Sequence, residues 1–257
     1  MIGPFMAPYF GGIKEAGYLV VSQSLLRVVE GGVEGFSRVA LPKVAQIISN
    51  GRHDRLRERI TDLIVFNFQI GLFITMHLLI WVQLLVLAWL GNQYLEVIPI
   101  MQVTILGLIP FIAFNMMRSI IDAVEVKAVN AGNLYKAFAV SLFFSIILAK
   151  AGLGAMGLII AMLLGFWTLG FFTVRFLWVL YDVKLRDFFI LRTVFLNLLF
   201  LGLALLVKYW LELRLNGLNL LISAFIIESI LTFFYCYILW KSSVKWTIEL
   251  VGRVINK

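Results

Sequence analysis

Apolar residues run along this chain in long stretches separated by short polar intervals, with little of the period-two alternation that marks strands. A helix needs about 20 apolar residues to cross a hydrocarbon layer about 30 Å thick. Six stretches fit that length, at 61–90, 97–124, 134–149, 155–181, 189–207 and 218–240. The third is the shortest, but Lys136 and Lys150 flank it and can snorkel to the interfaces. A seventh, 17–48, is apolar except for Arg27, Glu30, Glu34 and Arg38. Pro42, which lacks a backbone donor, should kink that helix or end its straight part, and Pro110 is a second candidate kink. Breaks at Gly91-Asn92, Asn130-Ala131-Gly132-Asn133, Gly152-Leu153-Gly154 and Asn216-Gly217 mark most of the turns. The expected fold is all-α, a polytopic transmembrane helix bundle of about seven spans. It forms one domain over residues 1–240, followed by an amphipathic tail at 241–257 with Val244, Ile248, Val251 and Ile255 at helical spacing.

Composition removes whole classes of function. Apolar residues make up 62% of the chain and charged ones 14%, with a mean hydropathy of +0.98. A water-soluble domain has about 45–50% and about 25%, so a soluble enzyme is excluded. One cysteine (Cys236) and two histidines (His53 and His77) leave no disulfide framework and no multi-ligand metal site, and no metal or cofactor is expected. The net charge of +8 would suit nucleic acid only if it formed a patch. It is scattered between apolar runs instead, which reads as membrane topology and no nucleic-acid partner. Assigning alternate loops to opposite sides puts 15 Lys and Arg on one side and 4 on the other, with Arg27, Arg38 and Arg118 inside spans. That bias places the C-terminus in the cytoplasm of a cell whose inner (plasma) membrane holds the chain, and seven crossings put the N-terminus outside. Trp178, Tyr181, Tyr209, Trp210 and Trp240 fall at span ends, as interfacial aromatics do. Residues 1–12 are apolar but too short to cross, and read as the outer end of a truncated helix.

The charges inside spans carry the candidate chemistry. Arg27, Glu30, Glu34 and Arg38 fall within about 80° of one another on a helical wheel, a single polar stripe. Each charge at membrane depth costs at least ~2.5–3.5 kcal/mol on insertion scales. The stripe must therefore neutralise itself, Arg27 with Glu30 and Glu34 with Arg38, or face a wet cavity. Gly31, Gly32 and Gly35 lie beside it, and Gly31 and Gly35 satisfy G-x-x-x-G, which permits close helix approach. A second cluster is Arg118, Asp122 and Glu125, with Arg118–Asp122 expected as an intrahelical pair. Glu228 stands mid-span with no charged neighbour one turn away, so it is protonated or paired across helices. His77, Gln69 and Gln83 make the second span partly polar, and a lone His there reads first as a satisfied packing residue. Lys208 and Arg175 lie near span ends and should snorkel. The basic run at 52–59 is an anchor beside anionic membrane lipids.

No H-E-x-x-H, G-x-S-x-G, Walker A or G-x-G-x-x-G motif is present, so the chain is not expected to be an enzyme. Four features in order do resemble a known family. Glu15-Ala-Gly-Tyr-Leu-Val-Val-Ser-Gln-Ser-Leu25 opens a long helix, Leu41-Pro42-Lys43 and the basic connector 52–59 follow, and Gly152-Leu-Gly-Ala-Met-Gly157 opens a later span. The pattern is similar to the C-terminal half of polysaccharide-transport flippases of the multidrug/oligosaccharidyl-lipid/polysaccharide (MOP) exporter superfamily. The resemblance implies one bundle of a two-bundle transporter that flips an undecaprenyl-pyrophosphate-linked oligosaccharide for surface polysaccharide biosynthesis. A separate N-terminal half or a second copy of the chain would then complete the cavity. Arg27, Arg38 and Arg118 become the substrate-binding candidates, since guanidinium suits pyrophosphate and acidic sugars. Glu30, Glu34, Asp122 and Glu228 become a coupling or charge network. Two alternatives stay open: a cation-coupled drug or metabolite exporter of the same superfamily, and a non-transporting assembly subunit or inactive fragment.

Overall fold

The computed structural model describes residues 12–49, 53–124, 128–182, 187–215 and 217–241. All regular structure among them is helical: α1 (Gly12–Ser49), α2 (His53–Trp89), a 3-10 turn (Asn92–Val97), α3 (Ile98–Leu106), α4 (Leu108–Val124), α5 (Val129–Lys150), α6 (Gly154–Leu180), α7 (Asp187–Arg214) and α8 (Gly217–Lys241). Five segments are long and apolar enough to cross a membrane, within α2, α5, α6, α7 and α8. The 3-10 turn with α3 and α4 makes a sixth, a broken span bent by 43°. The expected seventh crossing does not meet the same test: α1 is long enough, but it is not among the helices apolar enough to span, its charged stripe and glycines lowering its hydropathy.

The two prolines act differently. α1 runs without interruption through Pro42 to Ser49, so that proline does not end the helix. The break in the bent span falls at Gly107, just upstream of Pro110. Pro110 has no N–H to offer the carbonyl of Leu106 four residues back, and its ring crowds that carbonyl. Gly107 turns the chain there, its N–H reaching Thr104 O at 3.0 Å, and the ladder resumes with Phe111 N to Gly107 O at 3.1 Å.

Asn130–Asn133, expected as a turn, is the first turn of α5. The Gly91 and Gly152 breaks are true turns, with φ of +85° and +79° that favour glycine.

Residues 1–11, most of the tail and the side chains of the basic run lie outside the described residues.

The core sits where α1, α3, α4 and α6 meet, around the fully buried Leu26, Met101, Ile105, Leu108 and Ile112. A second cluster, Ile60, Leu63, Met117, Ile120 and Leu177, joins α2, α4 and α6 toward the other end. α5 lies along α6 through small residues. A Cβ on Gly165 would come 3.0 Å from Ser141 Cβ and 3.1 Å from Ala137 O, and one on Gly157 would come 2.9 Å from Leu148 Cβ. In lipid, where apolar burial gives no drive between helices, such close backbone approach is what binds them. α7 packs on α2, and α8 leans on α7. Large exposed apolar side chains crowd α5, α7 and α8, among them Phe143, Phe195, Leu206, Phe225 and Phe233, as on lipid-facing surfaces.

Candidate functional site

Polar side chains gather in four places. The first is the charged stripe. α1 buries Tyr18, Leu19, Ser22, Gln23, Leu25 and Leu26 against the bundle, a set at helical spacing. That packing turns the opposite face outward: Arg27 and Glu34 are exposed, as are Val28, Gly31, Gly32 and Gly35, while Glu30 is half-buried. The expected Arg27–Glu30 ladder does not form, and among the described residues neither side chain makes a hydrogen bond or ion pair. Glu34 does have an interaction, and the Arg38 side chain lies outside the described residues. A Cβ on Gly31 or Gly35 would meet nothing within 4 Å, so among the described residues the G-x-x-x-G face packs on no other helix.

The second place is the far end of α4. The expected Arg118–Asp122 pair is absent there. Asn130, in the first turn of α5, donates through its side-chain amide to Asp122 Oδ1 at 2.7 Å and to Arg118 O at 2.8 Å. It thereby pins α5 to the end of α4 and occupies the carboxylate. Arg118 instead lies 6.0 Å from the Phe114 ring. Glu125 lies outside the described residues.

The third place joins two stretches of the sequence that carried the family resemblance. Glu15 Oε2 accepts from Ala155 N at 2.6 Å, capping the N-terminus of α6. A carboxylate satisfies an orphan donor there and meets the positive end of the helix dipole. Gly154 stands at φ +49°, and a Cβ on it would lie 2.6 Å from the same oxygen. Nearby, Lys14 Nζ and Tyr18 Oη donate to Glu96 Oε2 at 2.6 and 2.9 Å. The hydrogen bond to Glu96 holds the exposed Lys14 ammonium above its ordinary value.

The fourth place was read only in fragments from the sequence. Gln69, Phe73, His77 and Trp81 recur every fourth residue on α2 and form one stripe facing α7 and α8. Gln69 Nε2 donates to Thr193 Oγ1 at 2.9 Å, and Tyr235 Oη donates to Gln69 O at 3.1 Å. Tyr235 stacks on Phe73 with ring centroids 4.0 Å apart, and Phe73 in turn lies 4.0 Å from the His77 ring. Glu228 on α8 meets two side chains of the stripe: His77 Nδ1 contacts Oε1, and Trp81 Nε1 donates to Oε2 at 2.8 Å. Lys208 is also tied in, its ammonium donating to Ile80 O at 2.9 Å instead of snorkelling away. Glu228 is thus paired across helices, and His77 is its partner, not a bystander. Gln83 is exposed and takes no part. No hydrogen bond or ion pair links Glu228 to Arg27, Glu30, Arg118 or Asp122 among the described residues, so the expected network divides in two.

Beside this seam a cavity of about 280 Å³ opens between α2, α4, α6 and α7, lined by Asn67, Phe68, Ile109, Met117, Trp178 and others. Its walls are almost wholly apolar, which suits an acyl chain better than a sugar. Among the described residues, no cluster of three metal-ligating side chains occurs. Comparison with models of known families, with characterised proteins and with solved structures found no match for this chain.

Proposed function

We propose that the chain is one helical half of a MOP-type flippase, which moves a lipid-linked, acidic or pyrophosphate-bearing oligosaccharide across the cytoplasmic membrane without catalysis. The observation that carries this reading is the outward face of α1. It exposes Arg27 and Glu34 on a helix otherwise built into a membrane bundle, with Glu30 beside them. Charges facing lipid are costly, and they become tolerable against water or a polar partner. The uncovered Gly31 and Gly35 beside them would let a second helix approach closely. A counter-surface of that kind, from an N-terminal half or a second copy, would enclose a cavity with the arginines on its wall. Rocking of two such halves is the usual route to alternating access.

Arg27 is the residue to test, because its guanidinium is exposed with no partner among the described residues and can form a bidentate contact with a phosphate. Arg38 and Arg118 are its proposed companions. In cells that depend on this protein for surface polysaccharide, Arg27→Ala should abolish export at unchanged protein level, and Arg27→Lys should restore only part of it. Normal export by Arg27→Ala would remove Arg27 from the substrate path. The orientation follows the Lys and Arg bias, with the C-terminus in the cytoplasm, and a reporter fused there tests it.

A further inference from the structure

The apolar cavity between α2, α4, α6 and α7 has a shape and a setting that point to one kind of occupant. Its volume is about 280 Å³, nearly twice that of an apolar cavity of about 150 Å³ that holds one benzene ring. By that proportion it takes about ten or eleven carbons. Along α4 its lining runs from Ile109 through Ala113 to Met117, eight residues or about 12 Å. A volume of that size spread over that length is about 23 Å² in cross-section, room for one hydrocarbon chain. Two polar side chains reach the lining, and both are tied to protein. Asn67 Nδ2 donates to Leu63 O at 3.0 Å, and Thr193 Oγ1 accepts from Gln69 Nε2 at 2.9 Å. Asn67 Oδ1 is covered and gives the cavity no polar surface. Walls of this kind do not hold water.

The helices place the cavity in one half of the membrane. It is lined by the first turns of the α2 and α7 spans, the last turns of α6 and the later half of the bent span. Its deep end is closed where α2 meets α4, since a Cβ on Gly71, one turn beyond Phe68, would lie 3.4 Å from Ile109 Cα. The rim reaches the surface of the bundle, where Phe68 and Trp178 are 46% and 39% exposed. A chain lying in the lipid of that leaflet can therefore enter sideways.

A charge stands beside the mouth. Arg175 follows Val174 and precedes Trp178 by three residues, both of them in the lining, and it is exposed. Among the described residues it forms no ion pair, and it lies 5.9 Å from the Phe171 ring. It is five residues from the end of α6, about 7.5 Å along the axis, so its guanidinium can snorkel to the depth of lipid headgroups. Phosphate offers it a bidentate partner there, and a headgroup with net negative charge suits it better than a zwitterionic one.

We propose that this cavity is a lipid site, in which one unbranched acyl chain of an anionic phospholipid fills the slot and its phosphate rests on Arg175. The narrow slot favours an unbranched chain over an isoprenoid one, which is widened by its repeating methyl groups. This lipid is a fixed part of the bundle and not cargo, so the site stands whether or not the chain transports anything. It fills the space between the start of the α7 span, which packs on α2, and the helices α4 and α6.

The test uses the full chain in phosphatidylcholine nanodiscs with a trace of phosphatidylglycerol that carries a diazirine midway along one acyl chain. On irradiation it should label α4 between Ile109 and Met117, where Ile109 and Ala113 are half-buried and Met117 is fully buried. Lipid outside the site would label the open faces of α5, α7 and α8 instead. Unlabelled phosphatidylglycerol should displace the α4 label at a lower mole fraction than a polyprenyl phosphate does. Arg175→Ala should raise the phosphatidylglycerol needed for half-displacement about tenfold, and Arg175→Lys by less. Ala113→Phe fills the slot and should abolish the α4 label, whereas Leu206→Phe on the open face of α7 should leave it unchanged. Wild-type labelling confined to α5, α7 and α8 overturns the proposal, with no substitution involved. So does displacement by polyprenyl phosphate at the lower mole fraction, which would make the slot part of a cargo path, or an α4 label that persists in Ala113→Phe.

Discussion

At the scale of single residues, the sequence made the charges of α1 visible but not their partners. Helical spacing put Arg27 and Glu30 on one stripe, whereas pairing depends on rotamers and neighbours that spacing does not specify. Glu15 shows the reverse case. It looked like a motif letter, and its work is to cap α6 through Ala155 N. Removing it as Glu15→Ala should cost about 0.5–2 kcal/mol, as for other lost caps. Gly154→Ala meets both an unfavourable φ of +49° and the Glu15 carboxylate 2.6 Å away, and should cost about 1–2 kcal/mol. Because the new methyl displaces the carboxylate, the double variant should lose less than the sum of the single ones. Thermal unfolding in detergent measures all three, and strict additivity would show that the cap and the glycine act separately.

At the scale of elements, the lengths and apolar runs of five spans were legible because the thickness of a bilayer sets them. The break in the span 97–124 was legible too, through Pro110, although its place at Gly107 follows from the carbonyl that the proline leaves unbonded. The α5–α6 contact left a signal that went unread: Gly157 and Gly165 on α6, eight residues apart, which lie against Leu148 and against Ala137 and Ser141 of α5. Gly170 makes an equally tight approach to α4, where a Cβ would lie 2.5 Å from Pro110 Cβ and 2.8 Å from its Cα. Backbone cannot move aside as a side-chain tip can, so Gly170→Ala should cost about 1–3 kcal/mol by overpacking. Gly202→Ala, with nothing within 4 Å of its added methyl, should be neutral or slightly stabilising. Equal melting temperatures for the two variants would refute that close packing of α4 on α6.

At the scale of the whole molecule, the question is what the outward face of α1 meets. Lipid, water and a second bundle give different chemistry at the same position. With Cys236 replaced by serine, a membrane-impermeant thiol reagent should modify Arg27→Cys rapidly and Phe233→Cys, on the lipid-facing side of α8, very slowly. Equally slow modification at both would put the α1 stripe against lipid or a tight protein contact and withdraw the main support for a transport path. The division of the charged residues into two groups also belongs to this scale. Arg27 and Glu34 are exposed on α1 with Glu30 half-buried beside them, whereas Glu228 looks into a seam with His77 and Trp81.

The sequence by itself determined that this chain is a helical membrane bundle, where its helices run and which of them carry charge. Those properties follow from local composition and from the cost of placing polar atoms in hydrocarbon. Tertiary structure alone decided which charges meet. His77 and Glu228 are 151 residues apart, and only the packing of α2, α7 and α8 brings an imidazole and an indole one helical turn apart onto the two oxygens of one carboxylate. The same packing decided that Arg27 faces outward, because burying Leu19, Ser22 and Leu26 turns Arg27, Gly31 and Gly35 to the opposite side of α1, where no described residue packs on the two glycines.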